Sequence, residues 1–345
     1  MKKSLLAVAV LGAFAGAASA QSSVTLFGIV DLSVNSIKNG KTSVKSMNSD
    51  MLNSNRLGFR GTEDLGGGMT AGFWLEGGMA PDTGTAGGFN FTRRSTVSLT
   101  SKAGEIRLGR DYTNSFSTVA TYDAYGANGM GSPISLYFYA YNKTADLGSG
   151  ATTTVRTNNM VGYFLPSNLG GLYGSAQVAA GEGVKGNKYA GLRLGYGAGP
   201  VDISATIAET DVAASSKYKN ANVGASYDMG FAKVMGFWDQ RKFGALKYTT
   251  YSLSTSVPLG QGEFRAAVSK GNASGGTTNA NDATLLGLEY IYNLSKRTAL
   301  YGQYGRLANK GAASATLVGT GVVGASEAAG GFTATGYGVG IRHSF

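Results

Sequence analysis

The chain has no cysteine and only one histidine, His343, among its 345 residues. Without cysteine it can form neither a disulfide framework nor a thiolate metal site. One imidazole close to the C-terminus offers no Ser-His-acid set for an enzyme. Charged residues are also scarce, at 14%, against about 25% in ordinary soluble domains. We therefore expect no catalytic residues, no metal and no other cofactor.

Long apolar runs are missing too. Beyond the first twenty residues, no segment reaches the roughly 18 apolar residues that a membrane-spanning helix requires. The chain has instead 54 glycines, 19 tyrosines and 15 phenylalanines, which suit alternating strands better than helices. Its basic excess, +10 at pH 7, is spread singly along the chain. This spacing argues against nucleic acid as a partner.

The N-terminus has the pattern of a secretory signal peptide. An apolar run follows Lys2 and Lys3 and ends in Ala-Ser-Ala at 18–20, which has the A-x-A form of a cleavage site. We expect residues 1–20 to be removed and residues 21–345 to form one domain.

The C-terminus alternates with a period of two. One face carries Tyr337, Val339, Ile341, His343 and Phe345, and the other carries glycine and polar residues. This pattern predicts a strand with one apolar face that runs to the last residue. An edge strand of a soluble sandwich is one interpretation. A closed outer-membrane barrel explains the pattern better, because its last strand pairs with the first and its terminal aromatic lies at the membrane surface.

Compact turns rich in Gly, Pro, Asn and Asp alternate with longer polar stretches. About seven short turns and eight long loops would join about sixteen strands of about ten residues, which predicts an all-β, 16-stranded antiparallel transmembrane β-barrel. Short turns face the periplasm in such barrels, so both termini should lie there. The long stretches fall near 38–53, 79–90, 111–153, 181–187, 209–219, 239–247, 270–282 and 307–331.

Strand alternation also sorts the charged residues. An arginine on the lipid face would cost about 2–4 kcal/mol at mid-membrane, so inward pointing is favoured. Of the adjacent Arg93 and Arg94, one should point inward; the parity of Val97 and Leu99 favours Arg94, although a β-bulge could exchange the two. The other side chains that the alternation directs into the lumen are Arg56, Arg60, Trp74, Glu76, Arg156 and Asn158.

The longest loop, 111–153, is rich in aromatic residues. Loops of this length are usually functional or disordered, and disordered segments lack aromatics. Folded into the lumen, the loop would narrow the pore opposite the inward arginines and bring Asp123 there. The alternative is an external cap over the barrel rim.

Eight stretches carry a resemblance to a known family, and together they span essentially all of the chain after residue 20. The sequence resembles the general porins of the β-proteobacterial and neisserial type. It departs from their pattern at the turn 166–171, where family members more often have Pro-Glu-Phe-Gly-Gly. The matching stretches are 23–31, 56–68, 73–76, 107–110, 223–227, 256–260, 293–301 and 338–345.

The resemblance implies a trimeric outer-membrane channel for passive diffusion of small hydrophilic solutes and ions. It also implies a ladder of lumen arginines at Arg56, Arg93 and Arg156, with Glu76 close by, as in anion-selective members. Arg93 here conflicts with the parity that favours Arg94, and both remain candidates.

The partners implied are two further copies of the chain, outer-membrane lipid and lipopolysaccharide, the outer-membrane assembly machinery, and inorganic or organic anions. The assembly signal would be the terminal residues Tyr337, Val339, Ile341 and Phe345. Two other functions stay open, a substrate-specific channel for phosphate or organic acids and a plugged structural or adhesive barrel.

Overall fold

The computed structural model describes residues 23–84, 90–137, 145–212, 216–275, 280–317 and 330–345. The expected signal peptide, 1–20, lies outside these residues. Within them, seventeen strands form one antiparallel sheet. No helix in the described part of the chain is both long and apolar enough to cross a membrane. The elements are β1 (Ser23–Asn39), β2 (Thr42–Ser49), β3 (Arg56–Gly66), β4 (Met69–Gly78), β5 (Arg94–Ser101), β6 (Gly104–Tyr112), α1 (Asn114–Thr121), α2 (Ala145–Gly148), β7 (Arg156–Phe164), β8 (Leu172–Ala179), β9 (Lys188–Ala198), β10 (Val201–Asp211), β11 (Lys217–Asp228), β12 (Lys233–Phe243), β13 (Leu246–Leu259), β14 (Gly262–Ser274), β15 (Ala283–Asn293), β16 (Thr298–Asn309) and β17 (Thr333–Ser344).

The seventeen strands occupy sixteen positions of a closed barrel. One edge of β1 pairs with β17, and its other edge pairs with β3 near the start of the chain and with β2 farther along. β2 and β3 therefore share the second position, interrupted at 50–55. The predicted 16-stranded antiparallel barrel is confirmed.

The last residue extends the pairing that closes the barrel. Phe345 exchanges two backbone hydrogen bonds of 3.0 Å with Gly28 of β1. Its ring lies directly over that glycine, since a Cβ at Gly28 would fall 2.3 Å from the ring. Glycine at position 28 thus allows the terminal aromatic to lie flat on the outer wall.

The alternation of polar and apolar residues explains why these strands form a hollow barrel. In β10, Ile203 and Ile207 are exposed on the outer wall, while Ser204 and Thr206 are buried on the inner side. In a membrane the outer side chains meet lipid, and the polar inner ones can meet water or other polar groups.

The two ends of the barrel differ, as expected, in the length of their connections. One end has short turns, such as 199–200 between β9 and β10, and the other has the long loops. The prediction of long loops at 38–53 and 239–247 is wrong. Residues 38–53 contain the two-residue turn 40–41 and all of β2, and residues 239–247 contain only the short turn 244–245. Their polar residues belong to strands that continue farther outward than the alternation indicated.

The loop between β6 and β7, here called loop 3, runs from 113 to 155 and enters the barrel. Helix α1 packs on the inner side of β8 to β11. Asn114 Nδ2 donates to the carbonyls of Ser175 and Gly191 at 3.0 Å. Farther along, the Met130 N–H donates to Gln303 of β16 at 3.1 Å. The prediction of a loop folded into the lumen is confirmed, and the external cap is wrong.

Deletion of Phe345 and the substitution Phe345→Asp should both strongly reduce the yield of assembled protein in the outer membrane. Both remove the ring over Gly28, and Phe345→Asp also places a charge at the membrane surface. Heat-resistant oligomer recovered from membranes measures the effect. Phe345→Tyr keeps the ring and should assemble normally. Normal yields from Phe345→Asp would contradict a role of this residue in closure.

Candidate functional site

The backbone before Arg56 turns into the barrel. Residues 50–55, here called the inward segment, separate β2 from β3. The buried carboxylate of Asp31 accepts two successive backbone N–H groups of this segment, at 2.7 and 2.6 Å. The Tyr301 hydroxyl also donates to Asp31. Because Arg56 follows immediately, these contacts determine where β3 begins and from where the Arg56 side chain projects.

Arg56, Glu76 and Arg93 meet at the outer ends of β3, β4 and β5. Glu76 Oε1 lies 2.6 Å from Arg93 Nε and 3.5 Å from Arg56 Nη1. Trp74 Nε1 donates to the other carboxylate oxygen at 3.0 Å. One carboxylate is thus shared by two guanidinium groups, and Asp50 attracts both of them from farther away.

Arg156 joins this group through neutral partners. Its Nε donates to the backbone carbonyl of Arg93 at 2.7 Å, and its guanidinium carbon lies 4.3 Å from the centroid of the Tyr112 ring. The Tyr112 hydroxyl accepts a 3.4 Å hydrogen bond from Arg93. Arg56, Arg93, Arg156 and Glu76 are called the arginine cluster below.

Arg94 belongs to a neighbouring group of balanced charge. Its Nε lies 3.4 Å from Asp111 Oδ2, which is also 2.8 Å from Arg107 Nη1. Arg107 makes two further hydrogen bonds with Glu105, at 2.8 and 2.9 Å. Two guanidinium groups therefore face two carboxylates here.

The expectation that only one of Arg93 and Arg94 points inward is wrong, because both contact inward-facing residues. Arg94 follows the strand parity and lies over the Trp74 ring, 4.5 Å from its centroid. Arg93 precedes the strand, so alternation does not constrain its side chain. Arg60 also contacts this ring, 5.1 Å from the Trp74 centroid.

The inward prediction for Asn158 is wrong because β7 contains a bulge. Gly109 pairs with Met160 and Asp111 pairs with Thr157, so the register shifts between them. Asn158 accepts a hydrogen bond from Arg110. Arg110 pairs with Ser95, and Ser95 pairs with Leu75, which faces lipid. Arg110 and its partner Asn158 therefore lie on the outer face. Parity counted from Val161 therefore does not extend past the bulge.

Asp123 lies inside loop 3 and does not face the lumen. Only 4% of the residue is exposed. Its carboxylate accepts from the Ser132 hydroxyl at 2.6 Å and from the N–H groups of Tyr125 and Ala127 at 3.0 and 2.9 Å. Burial raises the pKa of Asp123 to about 6, although these hydrogen bonds oppose the shift. Asp123 therefore stabilises the fold of loop 3 through hydrogen bonds inside the loop.

Tyr122 anchors loop 3 to the wall. Its hydroxyl donates to Asp202 and lies 3.1 Å from the Tyr173 hydroxyl. The ring covers Gly224, where a Cβ would fall 2.0 Å from a ring carbon. This close approach keeps the loop against β11.

Space remains beside loop 3 in the lumen. A cavity of about 340 Å³ lies between the loop and β5 to β9. Its lining includes Arg94, Arg107, Asp111, Gln177 and Arg193. These polar and charged side chains offer hydrogen-bonding partners to water in the cavity.

A family model for Gram-negative porins matches residues 7–312. The chain belongs to the Gram-negative porin family. It is an outer-membrane channel protein, and this family membership supports a channel over an enzyme.

Relatives agree with the family assignment. Outer membrane porin protein 32 of Delftia acidovorans is 40% identical over 362 aligned residues, covering 100% of both chains. An outer membrane porin protein of Bordetella pertussis is 29% identical and covers 93% of this chain and 99% of its own. A solved structure of an anion-selective porin from Comamonas acidovorans has a TM-score of 0.83 at 36% identity, over 94% of this chain and 100% of the other. The trimer form of OmpT from Vibrio cholerae, 15% identical with a TM-score of 0.68, shares the fold over 94% of this chain and 99% of the other.

Three residues of the porin's inner wall escaped the sequence analysis as site residues. Asp31 shapes the inward segment, Tyr112 supports Arg156, and Asp111 balances Arg94. The sequence pattern could have identified Asp31, since it is an acidic residue at an inward-facing position of an otherwise apolar strand. Tyr112 and Asp111 lie beside a bulge, and neither has a comparable signal.

Tyr122→Ala should loosen loop 3, because it removes the contacts to Asp202 and Tyr173 and uncovers Gly224. We expect a higher mean single-channel conductance with more frequent fluctuations in planar bilayers. Tyr196→Ala removes the same side chain from the outer wall and should leave the current unchanged. A Tyr122→Ala current identical to that of the parent porin would rule out this anchor.

Proposed function

We propose that this porin is an anion-selective passive diffusion channel for small hydrophilic solutes, that it acts as a homotrimer, and that residues 1–20 are removed before residues 21–345 form the barrel. The observation that supports anion selectivity is the arginine cluster. Its three guanidinium groups outnumber the carboxylates near them, because Glu76 pairs with Arg56 and Arg93, Asp50 attracts the same two from farther away, and Arg156 has neutral partners.

The position of these charges matters more than the net charge of the chain. Loop 3 enters the lumen and reaches the inward segment next to Arg56, where the Ser54 hydroxyl donates to Asn128 at 2.8 Å. Permeating ions are therefore expected to pass close to the cluster. Low-dielectric walls focus the field at such a point. A surplus of arginine there attracts anions and repels cations.

The charges of the arginine cluster are held in place rather than free to turn away. Side-chain exposure is 24% for Arg56 and 14% for Arg93. Arg156 is held by the Arg93 carbonyl and the Tyr112 ring. The anion selectivity described for the Comamonas acidovorans structure supports the same property here.

Replacing Arg56 and Arg156 together by Glu should reverse the sign of the zero-current potential across a planar bilayer in a dilute potassium chloride gradient. The wild-type preference should weaken as salt rises, because the screening length falls from about 10 Å at 0.1 M to about 3 Å at 1 M.

The double variant Arg56→Lys with Arg156→Lys is the matched control, since it keeps the sign of both charges and should stay anion-selective. A wild-type channel that prefers cations at 0.1 M salt would contradict the proposal, whatever the fold.

Glu76→Gln should act in the opposite direction and strengthen the anion preference, because it removes the carboxylate shared by Arg56 and Arg93. The same zero-current measurement tests it, with Glu63→Gln near a periplasmic turn as the control. A loss of anion preference in Glu76→Gln would show that Glu76 serves mainly to orient the arginines.

A further inference from the structure

Arg60 is an exposed arginine on the inner wall, closer to the periplasm than the arginine cluster. It follows Arg56 by four residues in β3, so at about 3.3 Å per residue it lies about 13 Å nearer to the turn 67–68. Its guanidinium carbon is 5.4 Å from the centroid of the Phe27 ring and 5.1 Å from that of Trp74. Within the described part of the chain, Arg60 forms no ion pair. Two aromatic rings therefore support a guanidinium group that has no carboxylate partner.

The carboxylates on the neighbouring strands are engaged elsewhere. Glu76 of β4 lies 2.6 Å from Arg93, and Asp111 of β6 lies 2.8 Å from Arg107. Neither carboxylate lines the cavity beside Arg60. An anion that enters this cavity therefore meets the positive charge of Arg60 without a competing carboxylate in the cavity wall.

Strand register surrounds Arg60 with hydroxyl groups. Two rows of directly paired residues cross the inner face of β1, β3, β4 and β5. The first row is Thr25, Arg60, Trp74 and Thr96, and the second, one step nearer to the periplasm, is Ser23, Thr62, Gly72 and Ser98. The Thr96 hydroxyl accepts from Arg94 at 3.1 Å. Among the described residues, the hydroxyls of Thr25, Thr62 and Ser98 make no hydrogen bond, so they are available to a ligand.

Gly72 leaves a recess in the second row. Its backbone is not left-handed, and a Cβ there would lie 3.1 Å from Ser98 Oγ. The glycine therefore provides space rather than an unusual backbone conformation. A cavity of about 370 Å³ opens over both rows. Its lining includes Arg60 and Arg94 but no acidic residue and no member of the arginine cluster.

We propose that the two rows form a binding subsite for a phosphate monoester of a small polyol, here called the Arg60 subsite. A guanidinium group can donate two parallel hydrogen bonds to a phosphate. A phosphate monoester carries about −1.5 to −2 charges at pH 7 and has three acceptor oxygens, so the hydroxyls of Thr62 and Ser98 can bind the oxygen that Arg60 leaves free. A carboxylate has only two oxygens, and one guanidinium group already uses both.

The Arg60 subsite rests on the proposed function, because an anion reaches it through the lumen. It would be a second anion position in series with the arginine cluster, on the periplasmic side. Conduction requires binding that is favourable enough for entry and distributed over several sites for exit. A phosphate monoester that leaves the arginine cluster would therefore pass to Arg60 before it enters the periplasm.

Tryptophan fluorescence of the assembled porin in detergent tests the subsite directly. The chain has two tryptophans, Trp74 in the subsite and Trp238 on the outer wall, where it pairs with exposed Tyr251. In the Trp238→Phe porin, glucose 6-phosphate should change the Trp74 emission in a saturable way, and glucose should not. Adding Arg60→Gln should raise the apparent Kd about tenfold, because a charge-assisted contact is lost.

Two further variants test the neutral part of the subsite with all charges retained. Thr62→Val removes a hydroxyl and keeps the side-chain shape, and Gly72→Val fills the recess; both should weaken binding severalfold. Arg193→Gln is the matched control, since it removes an inner-wall arginine that also lies over an aromatic ring, 5.4 Å from the Tyr173 centroid. This control should bind like the parent porin. Heat-resistant oligomer shows that each variant has assembled.

Absence of a saturable change in Trp74 emission would overturn the proposal. An equal loss of binding in Arg193→Gln would also overturn it, because the effect would then be a general one of lumen charge. Gluconate, a polyol with a carboxylate, should bind more weakly, and equal affinity would overturn the assignment to phosphate. The zero-current potential is measured separately. A cation preference contradicts the proposed function, whereas an anion preference without a saturable titration contradicts only the Arg60 subsite.

Discussion

A backbone in lipid has no water to satisfy its polar groups, so a membrane-spanning sheet must have no free edge. The pairing of β1 with β17 meets this requirement, and the fit of Phe345 over Gly28 completes it at the periplasmic end. Because the ring is closed, its inner face can carry polar and charged side chains. The lumen, the inward loop and the charged wall all depend on this closure.

The inner wall departs from regular strands at the places where function is proposed. The inward segment interrupts the strand position shared by β2 and β3. Two of its backbone N–H groups donate to Asp31 instead of to a neighbouring strand. Loop 3 likewise needs polar partners on the wall, which Ser175, Gly191 and Gln303 provide. Both irregular segments lie where they line or fill a cavity, which is the location in a membrane protein that tolerates them.

The arginine cluster shows how an aqueous pore can hold a net charge firmly. Each guanidinium has a partner, and two carboxylates compensate the three charges: Glu76 forms direct ion pairs with Arg56 and Arg93, and Asp50 attracts the same two groups from farther away. The Arg93 carbonyl and the Tyr112 ring, which hold Arg156, are neutral. The cluster is therefore ordered without being neutralised. The group around Arg94 and Asp111 differs, because its charges balance, and it contributes order to the wall with little net field.

The sequence by itself determined the barrel, its sixteen positions, the orientation of its outer residues and the inward direction of Arg56, Arg60 and Glu76, because a period of two places side chains without knowledge of distant contacts. The tertiary structure decided what that period cannot describe. It placed Arg93 and Arg94 both inward because one precedes its strand, turned Asn158 away through a bulge, and buried Asp123 within loop 3. It also brought Asp31 to the inward segment, since such contacts depend on segments that leave the regular sheet.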